Sequence, residues 1–107
     1  MSSSYSDLKQ ITNATALHSL TPELLLQTLN SRFLHNEIYT WVGTVLLAVN
    51  PFKSLPVYGP EKISSHFQSS LYHTTPHPYA LAAHAFRCLH RERGRSQSIL
   101  ISGESGA

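Results

Sequence analysis

The sequence predicts an α/β fold in which short helices flank two covered strands, at about residues 43–50 and 97–102. Three observations carry this. Val45 to Val49 is a continuous apolar run rather than an alternating one, as in a strand buried on both faces. Ile99 to Ile101 forms a second apolar centre, leading into a glycine-rich turn. Before and between them, apolar residues recur at helical spacing. With 107 residues the chain makes at most one small domain with a modest core. Only 13% of its residues are charged, so much of its surface is expected to meet neighbours.

The first ten residues, MSSSYSDLKQ, are polar and read as a disordered N-terminus. Leu17, Leu20, Leu24, Leu25 and Leu29 share helical spacing. Thr21, Pro22 and Glu23 supply a hydroxyl cap, a proline for the first helical position and an acid for the first turn, which predicts a helix from about Pro22 to Phe33. Ile38 to Pro51 is rich in β-branched and aromatic residues, and Pro51 cannot donate to a ladder, so the strand ends near Asn50. After the loop that follows, Pro60 opens a short helix with Ile63 and Phe67 on one face. The clearest helix begins at Pro78, with Leu81, Ala82, Ala85, Phe86 and Leu89 as its apolar stripe and Gly94 as its C-terminal cap.

Composition excludes several functions. A formal charge of +2 is too small to argue for nucleic acid or a membrane surface. Arg87, Arg91, Arg93 and Arg95 read as a solvated helix end, where cations favour the dipole, and no aromatics interleave with them. The single cysteine, Cys88, makes no internal disulfide and reads as a small buried hydrophobe of a reducing compartment. The start has no signal-peptide core and no apolar run is long enough for a membrane span, so a cytoplasmic location is expected. Seven histidines invite a metal reading, but His73 and His77 are separated by a proline and His84 and His90 face apart, which leaves surface and packing roles. The six carboxylates do not cluster, and no nucleophile has an identifiable base, so no catalytic residue is assigned.

The last residues, Gly103, Glu104, Ser105, Gly106 and Ala107, follow the second apolar run. They match the first five positions of G-x-x-x-x-G-K-[ST], in which backbone N–H groups converge on phosphate oxygens. Taken alone the signal is weak, since glycine and serine end many strands, and an ordinary turn is the simpler reading.

A resemblance joins these features. QSILIS-GESGA is similar to the start of the phosphate loop of myosins. IYTWVG followed by VLLAVNPFKSLPVY resembles the strand and adenine-side loop of the myosin head, PHPYA the opening of the helix before the phosphate-loop strand, and LLLQTLNSRF the helix ahead of them. The resemblance implies that residues 11–107 are the N-terminal part of a P-loop NTPase motor domain, continuing into a longer head. It implies an actin-based, ATP-driven motor of the cytoskeleton, with ATP and Mg²⁺ as cofactors of the complete motor. Actin filaments and light chains or calmodulin would bind through other regions. Asn50, Pro51, Phe52, Lys53 and Tyr58 match the adenine-side loop, and Gly103 to Ala107 the phosphate loop. Read without the family, Tyr58 serves equally as a core residue capping the short helix. The sequence departs from the pattern at Pro78, usually an apolar non-proline position, and at Ser54, where some members carry a basic residue. The stretch before the first helix is too short for an SH3-like barrel, which resembles an unconventional class. Residues 1–107 alone are expected to be catalytically inactive and weakly stable, since lone strands expose edges. The alternative is a short, non-enzymatic interaction module.

Overall fold

The computed structural model describes residues 11–17, 19–68, 75–91 and 94–104, with only the backbone for residues 16 and 68. The expected disordered N-terminus, His73, Arg93 and Ser105 to Ala107 lie outside the described residues. The chain forms two compact units that divide between Leu55 and Pro56.

In the first unit, helix α1 spans Pro22–Phe33, as the sequence predicts. The Thr21 hydroxyl oxygen accepts the Leu24 N–H at 3.1 Å, satisfying a donor that the first turn leaves open. The stop signal is Asn36, in the left-handed region at φ +63°. The Glu37 N–H reaches back to the Arg32 carbonyl at 2.9 Å and the Asn36 N–H to Phe33 at 3.0 Å, a Schellman closure with asparagine in the usual glycine position.

Strands β1 (Tyr39–Val42) and β2 (Val45–Ala48) follow and pair antiparallel, Val42 opposite Val45 and Tyr39 opposite Ala48. This corrects the single covered strand expected at about 43–50. Gly43, at φ +62°, is the first residue of a two-residue turn, a conformation that glycine supplies without a Cβ penalty. The apolar run therefore starts a second strand, and it is not covered on both faces: Val45 and Ala48 are exposed, Leu46 and Leu47 half-buried. Burial falls on β1 instead, where Trp41 is the largest fully buried side chain.

Ahead of α1, a 3-10 turn at Ala14–Ala16 packs on β1. The Asn13 carboxamide joins the two. Its oxygen accepts the Thr15 N–H at 3.1 Å, the Thr15 hydroxyl at 2.6 Å and the Gly43 N–H at 3.1 Å. Under the strands lies Arg32, only 2% exposed. Its Nε donates to Thr40 Oγ1 at 2.9 Å and its Nη2 to the Tyr39 carbonyl at 3.0 Å, with the Glu37 carboxylate 3.9 Å away. Burial lowers the guanidinium pKa from its ordinary value, and Glu37 only partly offsets this.

The second unit holds helices α2 (Pro60–Gln68) and α3 (Pro78–Arg91), packed on each other. Both start at the prolines that predict them. The buried positions of α3 are Ala80 and Ala83, not the expected stripe, in which Ala82, Phe86 and Leu89 are exposed. Arg87 is no simple solvated cation, since its Nη1 donates to the Phe67 carbonyl at 2.9 Å, at the C-terminal end of α2 where a positive charge is favoured. Cys88 is half-buried, its sulfur 3.5 Å from His84 Nε2. Gly94 closes α3 as expected, at φ +78° with its N–H on the Leu89 carbonyl at 2.9 Å.

Residues 97–102 do not form the expected second strand and pair with no ladder among the described residues. A strand needs a neighbour to accept its N–H groups, and here Leu100 and Ile101 stand 94% and 87% exposed. The fold class is mixed α/β, with three helices and one two-stranded antiparallel sheet among the described residues.

Candidate adenine-side loop and glycine-rich segment

The candidate residues fall into three groups. Asn50, Pro51, Phe52 and Lys53 belong to the first unit and leave β2 as a loop. Pro51 cannot extend the ladder, so the chain turns. The Asn50 side-chain oxygen accepts the Phe52 N–H at 2.8 Å, an Asx turn, and holds Phe52 at φ +53°. A left-handed phenylalanine is strained by about 1–2 kcal/mol and persists only where its surroundings fix it. Its ring is presented to solvent, 89% exposed, with Lys53 exposed beside it in sequence.

Tyr58 belongs to the second unit, in the short loop before α2. At 58% exposed it lies outside the buried core. Its ring meets His77 edge-on, with centroids 5.6 Å apart, and lies 6.0 Å from Tyr79. Beneath it His77 uses both ring nitrogens. Nε2 lies 2.7 Å from the Val57 carbonyl, which can only accept, so Nε2 carries the proton. Nδ1 then accepts the Tyr79 N–H at 3.0 Å. His66 of α2 stacks on the same ring, with centroids 4.9 Å apart and planes inclined by 30°. Both imidazoles are buried. Burial lowers the His66 pKa, and the facing His77 and Lys62 lower it further. Burial also lowers that of His77, against the raising effect of its bond to Val57 and with Lys62 adding to the fall.

Of the third group, Gly103 and Glu104 are exposed and irregular, and Ser105, Gly106 and Ala107 lie outside the described residues. Sequence reasoning missed the His66–His77 stack, because two histidines eleven positions apart carry no periodic signal. It also passed over Arg32, whose partners Thr40 and Tyr39 lie beyond a helix stop marked only by Asn36. Among the described residues, no group of three or more His, Cys, Asp or Glu is placed to hold a metal, and no helix is long and apolar enough to cross a membrane.

The described residues thus give a mixed α/β chain with an exposed Phe52 turn in the first unit and an exposed Tyr58 in the second. Comparison with known proteins identifies the class. The sequence model of the myosin head (motor domain) matches residues 11–107. The chain is 46% identical over 101 residues to unconventional myosin-Ia of Gallus gallus, covering 94% of this chain and 10% of that protein. It is 46% identical over 91 residues to unconventional myosin-Ib of Mus musculus, covering 85% and 8%. With the myosin-J heavy chain of Dictyostelium discoideum the identity is 44% over 100 residues, covering 94% and 4%. The chain belongs to the myosin head (motor domain) family. It spans a tenth or less of the length of these relatives.

Proposed function

We propose that residues 11–107 are the N-terminal part of an actin-based, ATP-driven motor head of the P-loop NTPase type, working in the cytoplasm on the cytoskeleton. Asn50, Pro51, Phe52, Lys53 and Tyr58 form its adenine side, and Gly103, Glu104, Ser105, Gly106 and Ala107 begin its phosphate loop. Actin filaments and light chains or calmodulin are engaged by other regions of the protein.

The observation that carries this reading is the exposed, conformationally set loop. Asn50 holds Phe52 in a strained backbone state, and His77 backs the exposed ring of Tyr58. Such a phenol suits a purine, since its face is apolar and its hydroxyl finds a polar partner. The exposed Lys53 ammonium adds a positive charge at the loop. ATP with Mg²⁺ would supply the transferable phosphoryl group, while the protein's part is positioning and charge stabilisation.

The test is Tyr58→Ala in the protein at its natural length, with a fluorescent ATP analogue titrated in the presence of Mg²⁺. Loss of one aromatic contact, about 0.5–1.5 kcal/mol, corresponds to a two- to twelvefold weaker Kd. Unchanged affinity would remove Tyr58 from the site.

A further inference from the structure

We propose that His66 and His77 act together as positioning residues for Tyr58, tying its loop to α3 while both imidazoles are neutral, so that the tie loosens on acidification. The proposal rests on the reading of Tyr58 as a nucleotide-side residue. Its geometry stands independently of that reading.

His77 grips Val57, the residue immediately before Tyr58, through Nε2–H at 2.7 Å, and its ring supports the Tyr58 ring edge. Its other nitrogen is taken by the Tyr79 N–H at the start of α3. A second proton on His77 has only Nδ1 to occupy, where it would face that N–H, donor against donor. The bond that ties the ring to α3 is then lost; Nε2–H still holds Val57, but the ring and the loop it carries are no longer anchored to the helix.

The stacked His66 has the same preference for a different reason. It is 5% exposed, and its Nδ1 has no hydrogen-bond partner among the described residues. A proton there would create a buried cation with no acceptor, against a ring 4.9 Å away. Lys62, one turn earlier on α2, weighs against a positive charge on either imidazole. Among the described residues, the rings of Tyr58 from the loop and Tyr79 from α3 also face the pair. Burial and the Lys62 charge both oppose the imidazolium, so proton uptake is favoured where the packing opens.

The direction follows from linkage. Both histidines have folded-state pKa values below the ordinary 6.5. Above that value neither state binds the proton and the grip is at full strength. As pH falls below it the open state takes up protons first and the grip weakens.

The experiment is hydrogen exchange at pH 7.5 and 5.5 on the protein at its natural length, corrected for the intrinsic pH dependence of exchange. It is read at peptides covering Val57 to Gly59 and Tyr79, in wild type and in His66→Phe. The phenylalanine keeps an aromatic stack and removes one titrating group. His66→Gln gives the same comparison should that variant misfold. Acidification should accelerate exchange in wild type by up to about tenfold per imidazole at one pH unit below the ordinary value, and by up to about tenfold less in the variant. Acceleration equal in both proteins, or absent in wild type, overturns the proposal. A fluorescent ATP analogue titrated at the same two pH values separates the two readings. Affinity that falls in step with exchange supports both. PH-dependent exchange in a protein that binds no nucleotide at either pH keeps the histidine grip and refutes the nucleotide reading.

Discussion

Replacing Arg32 by alanine tests how the first unit is held together, because two accounts of this residue predict different results. Arg32 and Glu37 form an ion pair at 3.9 Å, but Glu37 is half-exposed and the separation is at the limit for contact. Solvent screening leaves such a pair about 0–1 kcal/mol. The two hydrogen bonds to Thr40 Oγ1 and the Tyr39 carbonyl are buried and charge-assisted. Each is of the kind that contributes about 1.5–3 kcal/mol, and removing the guanidinium takes away both and leaves a gap under β1. Arg32→Ala is therefore expected to cost about 3–5 kcal/mol, and Glu37→Gln less than about 1 kcal/mol. The lowered pKa of Arg32 agrees in sign, since burial outweighs the attraction of Glu37. Urea unfolding followed by the fluorescence of the single tryptophan, Trp41, reads the adjacent strand directly. Glu37→Gln costing as much as Arg32→Ala would refute the reasoning and put the stabilisation in the ion pair. So would an Arg32→Ala chain within about 1 kcal/mol of wild type.

Asn13→Ala removes the acceptor shared by Thr15 and Gly43 and should destabilise the hairpin by about 1–2 kcal/mol in the same unfolding assay. Gly43→Val should cost more than about 1 kcal/mol although the space is open, the nearest atom to a new Cβ being Thr15 Cγ2 at 3.8 Å. There the penalty comes from φ +62° rather than from collision, so Gly43→Asn, which tolerates that conformation better, should recover part of it. Melting temperature should hold steady above the ordinary histidine value of 6.5 and fall below it, because the depressed His66 and His77 leave the unfolded chain to bind more protons.

The parts of the fold that were legible in the sequence are those written in short-range chemistry. Thr21, Pro22 and Glu23 marked the start of α1 because capping is decided within four residues. Pro60 and Pro78 marked α2 and α3 for the same reason. The hairpin was missed because Val42-Gly43-Thr44-Val45 lacks the usual asparagine–glycine signal, and a continuous apolar run does not reveal that a turn precedes it. The stripe on α3 was misplaced because burial there follows the close approach of small alanines rather than the largest side chains. For the candidate site, the motif marked Asn50 to Lys53 and Tyr58, yet nothing in the linear pattern paired His66 with His77. That contact is created only when α2 packs on α3.

The same division between near and distant contacts explains why the loop residues have definite conformations while the segment leading to Gly103 does not form a strand. Phe52 is fixed by a side chain two residues away, and the residue before Tyr58 by a ring twenty residues away in the same unit. Neither depends on a completed sheet. Ile99, Leu100 and Ile101 differ: their apolar faces are exposed and their backbone has no ladder partner among the described residues, so a strand there depends on neighbours that these residues do not supply. Substitutions at Asn50 or His77 should therefore act on loop shape directly, whereas substitutions at Leu100 should act only where strand neighbours are present.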